Sequence, residues 1–202
     1  ERQKLELLPK IVEGELLLAM AIDETTFHAP TKLNTTATKS GEKFKLNGSK
    51  TFVLDGHIAD KLIVVARTSG ENDSTNGISL FLVDPASTGV EISRSHMVDS
   101  RNSSKIIFTD VEVFADDMLG GEGNGFAGLT RVLDRACIGL SAEMLGSIQE
   151  VFDRTLEYLK QREQFGVLIG SFQGLQHRSA SMYSEIELCK SAVIAALSAL
   201  DD

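Results

Sequence analysis

The apolar residues of this chain change their spacing once, near Phe126, and that change divides what can fold on either side of it. From Phe126 onward, Leu129, Leu133, Ala136, Leu140, Met144, Ile148, Phe152, Leu156 and Leu159 recur at steps of three or four. This spacing predicts one helix of about 35 residues, roughly 50 Å long at 1.5 Å per residue. A second helical pattern starts near Phe172 and runs through Leu175, Met182, Ile186, Cys189, Val193, Ala196 and Leu200. The link between them, Gln164–Ser171, contains Gly166 and Gly170, and Ser171 is placed to cap the second helix. Long helices joined by so short a link are expected to lie antiparallel, as half of a four-helix bundle.

Ahead of the change the spacing is that of strands. Leu62–Ala66, Ile78–Val83, Val90–Ser93 and Lys105–Phe108 are short runs dominated by Val, Ile, Phe and Thr. Phe44 and Leu46 alternate with lysines and are followed by Asn47-Gly48, then by Ser49–Leu54. Asn-Gly supplies the two positive-φ positions of a tight hairpin turn, so a hairpin is expected there. Asp55-Gly56 and Asn76-Gly77 mark further turns. Strands at intervals of about ten residues, with no helix between them, point to an antiparallel barrel or sandwich. The fold class is therefore α+β. Residues 1–15 form a short helix carrying Leu5, Leu8, Ile11 and Val12, residues 16–119 the β domain, and residues 120–202 the partial helical bundle.

Composition narrows the function classes. Hydrophobic residues make up 42% of the 202, enough for a packed core. A net charge of −9 repels phosphate backbones, which argues against nucleic acid and leaves any anionic ligand to local arginines or helix ends. No apolar run approaches the ~20 residues needed to cross a bilayer. Cys137 and Cys189 are expected to be small buried hydrophobes in a reducing compartment. Both ends of the chain cut a helical pattern, as in a piece of a longer protein.

Familiar catalytic patterns are missing. His28, His57, His96 and His177 are scattered without metal-ligand spacing, and no metal site is expected. Gly121–Gly125 lacks both the third glycine of a dinucleotide fingerprint and the lysine of a P-loop, and reads as a flexible turn into the long helix. The segment that stands out is Tyr158–Gln173. Around a glycine-containing bend it gathers Arg162, a permanently charged planar fork suited to phosphate oxygens, Phe165, which can lie against an aromatic ring, and Gln173 in the first turn of the next helix. On these residues alone an anion site and a plain interhelical bend both remain open.

Arg162, Gln164, Phe165, Gly166, Ile169, Phe172 and Gln173 match the motif R-x-Q-F-G-x-x-I-x-x-F-Q, and with them the chain resembles the acyl-CoA dehydrogenases. Leu46–Lys50, Val111–Val113 and Gly123–Phe126 match further family patterns in the same order. The resemblance implies a flavoprotein carrying FAD, assembled as a homo- or heterotetramer. It implies that the enzyme removes two hydrogens from the α and β carbons of an acyl-CoA thioester, with a carboxylate taking the α proton and flavin N5 the β hydride. Electron-transfer flavoprotein is the implied acceptor, and a bacterial cytoplasm, or alternatively the mitochondrial matrix, the implied location.

By the same resemblance, Arg162, Gln164, Phe165, Ile169 and Gln173 would meet the pyrophosphate and adenine half of an FAD held mainly by a neighbouring subunit. Ala21, Ile22, Phe52, Val53 and Leu54 would meet the flavin ring. Phe52 stands where the family has an aromatic residue, whereas Ile22 and Leu54 stand where threonines hydrogen-bond the ring. His28 replaces a serine in a loop that contacts substrate or flavin, and Asp134 would face the acyl-CoA. The catalytic base is absent from the chain: the position on the first long helix that carries it in a minority of the family is Ala136. An alternative follows, in which this is an inert partner subunit that completes the FAD site of an active sister chain.

Overall fold

The computed structural model describes residues 2–201, which divide into two compact units, one ending at Leu129 and one beginning at Thr130. The first unit opens with helix α1 (Arg2–Val12). Its strands are β1 (Leu18–Ala21), β2 (Thr36–Ser40), β3 (Lys43–Leu54), β4 (Lys61–Arg67), β5 (Ile78–Val83), β6 (Val90–His96), β7 (Asn102–Phe114) and β8 (Met118–Leu119). They form one sheet in the order β6-β7-β3-β2-β4-β5-β8, with β1 beside β4. The sheet is open rather than closed into a barrel, and most neighbours are antiparallel, as expected. Two pairings are parallel: β1 with β4, and β2 with β4 through Thr36 and Arg67.

The core of this unit is built from the inward positions of β3, β4, β5 and β7. Phe44 and Phe81, 1% and 0% exposed, meet with ring centroids 5.3 Å apart. Val64, Ile106, Phe108 and Val111 close around them. β5 is buried on both faces over Ile78–Phe81, which is why its sequence shows a continuous apolar run rather than alternation.

The Asn47-Gly48 hairpin does not form. β3 runs straight through it for 12 residues, and the turn back from β2 is made by Gly41-Glu42, where Gly41 has φ 66° and Ser40 pairs with Lys43. Asn47 instead faces an extra residue in β7. Its amide Nδ2 donates to Asp110 Oδ1 at 3.1 Å, and the Asp110 N–H donates to Asn47 Oδ1 at 2.9 Å, steadying Asp110 at φ 49°. Gly48 is required for close approach: a Cβ there would lie 2.5 Å from Thr35 Oγ1. The same two residues that favour a tight turn thus serve a β-bulge.

Gly121–Gly125 is also not a free turn. The Gly123 N–H donates to Ser79 Oγ at 2.8 Å, and the Gly77 N–H donates to the Gly123 carbonyl at 3.2 Å. Helix α2 (Gly125–Gln161) therefore starts against β5, with Gly125 and Leu129 buried.

In the second unit, α2 continues to Gln161 and α3 spans Gln173–Asp201. They run antiparallel, since Ser147 and Cys189 line one end of a shared groove of about 370 Å³ and Thr155 and Met182 the other. Phe152 and Tyr183 meet across it at 6.2 Å. Only one stripe of each helix is covered. Cys137 and Cys189 are exposed free thiols rather than buried ones; Cys189 lines the open groove between the helices. Leu140, Met144, Val151, Leu188 and Ile194 are each more than 40% exposed. Contiguous apolar surface of this kind drives association. The 202-residue chain by itself is expected to self-associate, and static light scattering that reports a clean monomer at high concentration would contradict this.

Candidate functional site

The candidate residues gather into two constellations, one in each unit. In the β unit it lies where β3 passes the segment that follows β1. Lys50 pairs with Ile106 of β7 and Val53 with Ser104, so Thr51 and Phe52 together oppose the single residue Lys105. This bulge turns β3 over. Before it, Phe44, Leu46 and Lys50 point inward; after it, Val53 does, at 1% exposed. Phe52 is left at φ 52° and is 58% exposed. A non-glycine residue at such a φ costs of order 1–3 kcal/mol, which the surrounding contacts must offset.

The bulge leans on the chain after β1. The Thr51 N–H donates to the Asp23 carbonyl at 2.8 Å instead of to β7. Lys50, 0% exposed, sends its ammonium to the Ile22 carbonyl at 2.9 Å and to Glu24 Oε1 at 2.8 Å. Glu24 accepts further bonds from the Asn34 N–H at 2.6 Å and the Thr35 N–H at 3.0 Å. Burial pulls the Lys50 pKa down to about 8, against the opposing pull of Glu24 and Asp23. Burial pushes the Glu24 carboxyl up, but the Lys50 charge and the hydrogen bonds from Lys50, Thr35 and Asn34 outweigh it, leaving the pKa below its ordinary value. For a depressed carboxyl pKa the unfolded chain binds the proton more readily. The associated stability is present above the ordinary carboxyl range and lost as pH falls through the folded value. Acid unfolding is therefore expected to start at a higher pH in wild type than the remaining carboxylates alone would dictate, and Glu24→Gln is expected to flatten the low-pH limb of a denaturation-versus-pH series.

The sequence-derived residues of this unit fall as follows. Ala21 and Val53 are buried in the core, Ile22 is half-buried, and Phe52 and Leu54 are exposed. His28 lies on the loop after β1, its Nδ1 2.9 Å from Asp23 Oδ2, while Asp23 Oδ1 accepts the Ala29 N–H. Asp134 is an exposed residue of α2 in the other unit. Asp23, Glu24 and Lys50 did not emerge as a site from the sequence. Parity signalled Lys50: once Asn47-Gly48 is not a turn, positions 44, 46, 48 and 50 share one face of one strand.

In the helical unit the constellation is the corner between α2 and α3. Strands β9 (Glu163–Gln164) and β10 (Val167–Leu168) form a minimal hairpin whose two-residue turn is Phe165-Gly166, at φ 56° and 75°. A turn with positive φ at both central positions prefers Asn-Gly. Here its first position carries a phenylalanine that is 92% exposed, braced edge-on by Phe172 at 6.2 Å. Arg162 and Gln164 are exposed beside it, Ile169 is half-buried, and Gln173 is the exposed first residue of α3. The corner is tied to α2 through the Ile169 N–H and the Arg162 carbonyl, 2.8 Å apart. Ser171 does not cap α3; its hydroxyl donates back to the Leu168 carbonyl at 2.7 Å, inside a 3₁₀ turn that precedes the helix. Phe165→Asn is expected to stabilise the fold by about 1 kcal/mol by relieving the strain, measurable by thermal or denaturant unfolding; an unchanged or lowered stability would mean the ring is held for packing.

Chemically, each constellation presents an aromatic face from a strained backbone, and the corner adds a guanidinium with no ion pair or hydrogen bond from its side chain among the described residues. The first suits a planar ring, the second a planar ring or phosphate oxygens. In the first, Ile22 and Leu54 are aliphatic and add no polar side-chain group. Among the described residues no three His, Cys, Asp or Glu side chains gather as a metal site, and no helix is long and apolar enough to cross a membrane.

Residues 19–111 match the family model described as acyl-CoA dehydrogenase, middle domain, and residues 123–202 the one described as acyl-CoA dehydrogenase, C-terminal domain. The chain is 35% identical to the mitochondrial isovaleryl-CoA dehydrogenase of Pongo abelii, covering 100% of this chain and 49% of that protein. It is 32% identical to an acyl-CoA dehydrogenase of Bacillus subtilis, covering 96% of this chain and 52% of the other. A crystal structure of acyl-CoA dehydrogenase from Geobacillus kaustophilus superimposes with a TM-score of 0.88 at 32% identity, over 98% of this chain and 53% of that one. The chain thus spans about half the length of the curated relatives it matches.

Proposed function

As this chain belongs to the acyl-CoA dehydrogenase family, we propose that the protein containing it is an FAD-dependent oxidoreductase that introduces an α,β double bond into an acyl-CoA thioester. The observation that carries the reading is the pair of exposed phenylalanines, Phe52 and Phe165, each held at positive φ at a position the family motif predicts to meet the cofactor. When bound, the flavin supplies the two-electron acceptor of the reaction.

The residues of this chain contribute binding and orientation. Phe52 offers its ring face to the isoalloxazine, and Ala21, Ile22, Val53 and Leu54 form the apolar strand ends around it. Arg162 meets phosphate oxygens with a charge-assisted fork, Gln164 and Gln173 add hydrogen bonds, and Phe165 and Ile169 offer apolar surface to the adenine. His28, oriented by Asp23, is a polar contact for the acyl-CoA, as is Asp134. No residue here is assigned as the base that removes the α proton. Electron-transfer flavoprotein is the proposed acceptor, a tetramer the proposed assembly, and the cytoplasm or mitochondrial matrix the proposed location. Under this reading residues 1–15 end an amino-terminal helical domain, 16–119 are the middle domain and 120–202 part of the carboxyl-terminal one.

Purified full-length protein is expected to be yellow with one flavin per chain and to bleach when an acyl-CoA is added without oxygen. The aliphatic Ile22 and Leu54 favour a second reading, an inert subunit that lends its Arg162–Gln173 corner to a sister chain's FAD. A protein that stays colourless alone and gains flavin only with a partner would select that reading.

A further inference from the structure

Lys50, Thr51 and Phe52 are consecutive, and each does something different to the same piece of backbone. The Lys50 ammonium binds the Ile22 carbonyl and Glu24, the Thr51 N–H binds the Asp23 carbonyl, and Phe52 turns outward. Glu24 in turn holds the Asn34 and Thr35 N–H groups at the entry to β2. One buried ion pair therefore ties the end of β1, the loop after it, the start of β2 and the bulge of β3. A buried pair is a poor device for stability alone, because apolar residues of similar volume commonly serve as well or better. What this pair does that apolar side chains cannot is bond three backbone groups at fixed directions, the Ile22 carbonyl and the Asn34 and Thr35 N–H groups, from a lysine two residues before the strained aromatic.

We infer that Lys50 and Glu24 are positioning residues for the flavin ring: they lock the segment Ile22–Glu24 against the Thr51–Phe52 bulge, so that the Phe52 ring and the backbone beside it are set before the cofactor arrives. Neither side chain touches the cofactor in this scheme; both are buried, at 0% and 5% side-chain exposure. The inference rests on the proposed function and deepens it. It also gives Ile22, whose side chain carries no hydroxyl, a backbone carbonyl fixed from behind by the Lys50 ammonium.

The test uses the full-length protein and two variants, Lys50→Met and the double variant Lys50→Met/Glu24→Gln. The single variant strands a buried carboxylate and is expected to lose stability. The double variant removes both charges and is expected to regain most of the wild-type melting temperature. If the pair positions the site, the double variant still binds FAD at least tenfold more weakly, its bound flavin shows an altered visible circular dichroism spectrum, and the amides of Thr51, Asn34 and Thr35 exchange faster in the cofactor-free protein. Wild-type flavin affinity, spectrum and exchange in a refolded, stable double variant would overturn the inference while leaving the proposed function intact. A wild-type protein that binds no flavin, alone or with a partner chain, would overturn the proposed function and this inference with it.

Discussion

Replacing Arg67 by methionine is expected to lower the unfolding free energy by about 3–5 kcal/mol, the sum of several backbone carbonyls left without a donor. Arg67 closes β4 and is 6% exposed. Its guanidinium has no carboxylate partner among the described residues. Instead it donates to four backbone carbonyls: Thr31 at 2.9 Å, Asn76 and Ser74 at 3.0 Å, and Ser69 at a long 3.5 Å. Its own N–H goes to the Thr35 carbonyl at 2.9 Å. The loop 68–77 is therefore wrapped around a cation and has few apolar contacts to hold it otherwise. Methionine fills much of the volume but leaves those carbonyls without donors, at ~1–3 kcal/mol for each group that stays buried. Equilibrium urea unfolding would show the loss as a shifted midpoint with an unchanged slope. Arg67→Lys is expected to recover only part of it, because one ammonium cannot span the positions a fork reaches. A loss under 1 kcal/mol for the methionine variant would mean that water satisfies the loop once the arginine is gone.

Arg162→Ala in the full-length protein is expected to weaken FAD binding by roughly 10- to 100-fold, the equivalent of one charge-assisted phosphate contact at about 1.5–3 kcal/mol. The stability of the cofactor-free protein should hardly move, since the Arg162 side chain is exposed and makes no bond within the corner among the described residues. Arg162→Lys is expected to restore part of the affinity as a point charge without the fork. Raising salt should erode wild-type binding more steeply than that of the alanine variant. Flavin titration and thermal melts on the same preparations separate the two effects. Equal flavin affinity in wild type and the alanine variant would remove the corner from the cofactor site and leave it an interhelical bend. The corner and the Phe165→Asn change then form a pair: one is expected to cost affinity without stability, the other to gain stability, and a binding role for the ring predicts that Phe165→Asn loses affinity as it does so.

The signals the sequence carried well were long and periodic. Ten apolar positions spaced by three or four leave no alternative to the helix Gly125–Gln161. The corner motif was legible because its residues are contiguous, so the link between the helices delivers Arg162 to Gln173 together. The failures were local signals with two structural uses. Asn47-Gly48 suits a hairpin turn and a bulge equally, and which one forms depends on β7, more than fifty residues away in sequence. Ser171 suits a cap, but the 3₁₀ turn reached its hydroxyl first. Cys137 and Cys189 sit in helical patterns whose apolar surface exceeds what one partner helix covers.

By itself, then, the chain's pattern determined the class of fold, the order of its elements and the residues at the helical corner, because periodicity and contiguous spacing are properties of the chain read in one direction. Only the tertiary structure decided that Lys50 is buried, that Glu24 neutralises it from 26 residues away, and that Phe52 and Phe165 stand exposed on strained backbone. The physical reason is that charge pairing, register and bulges are set between segments. Their energies depend on which strand arrives alongside, and no local composition encodes that.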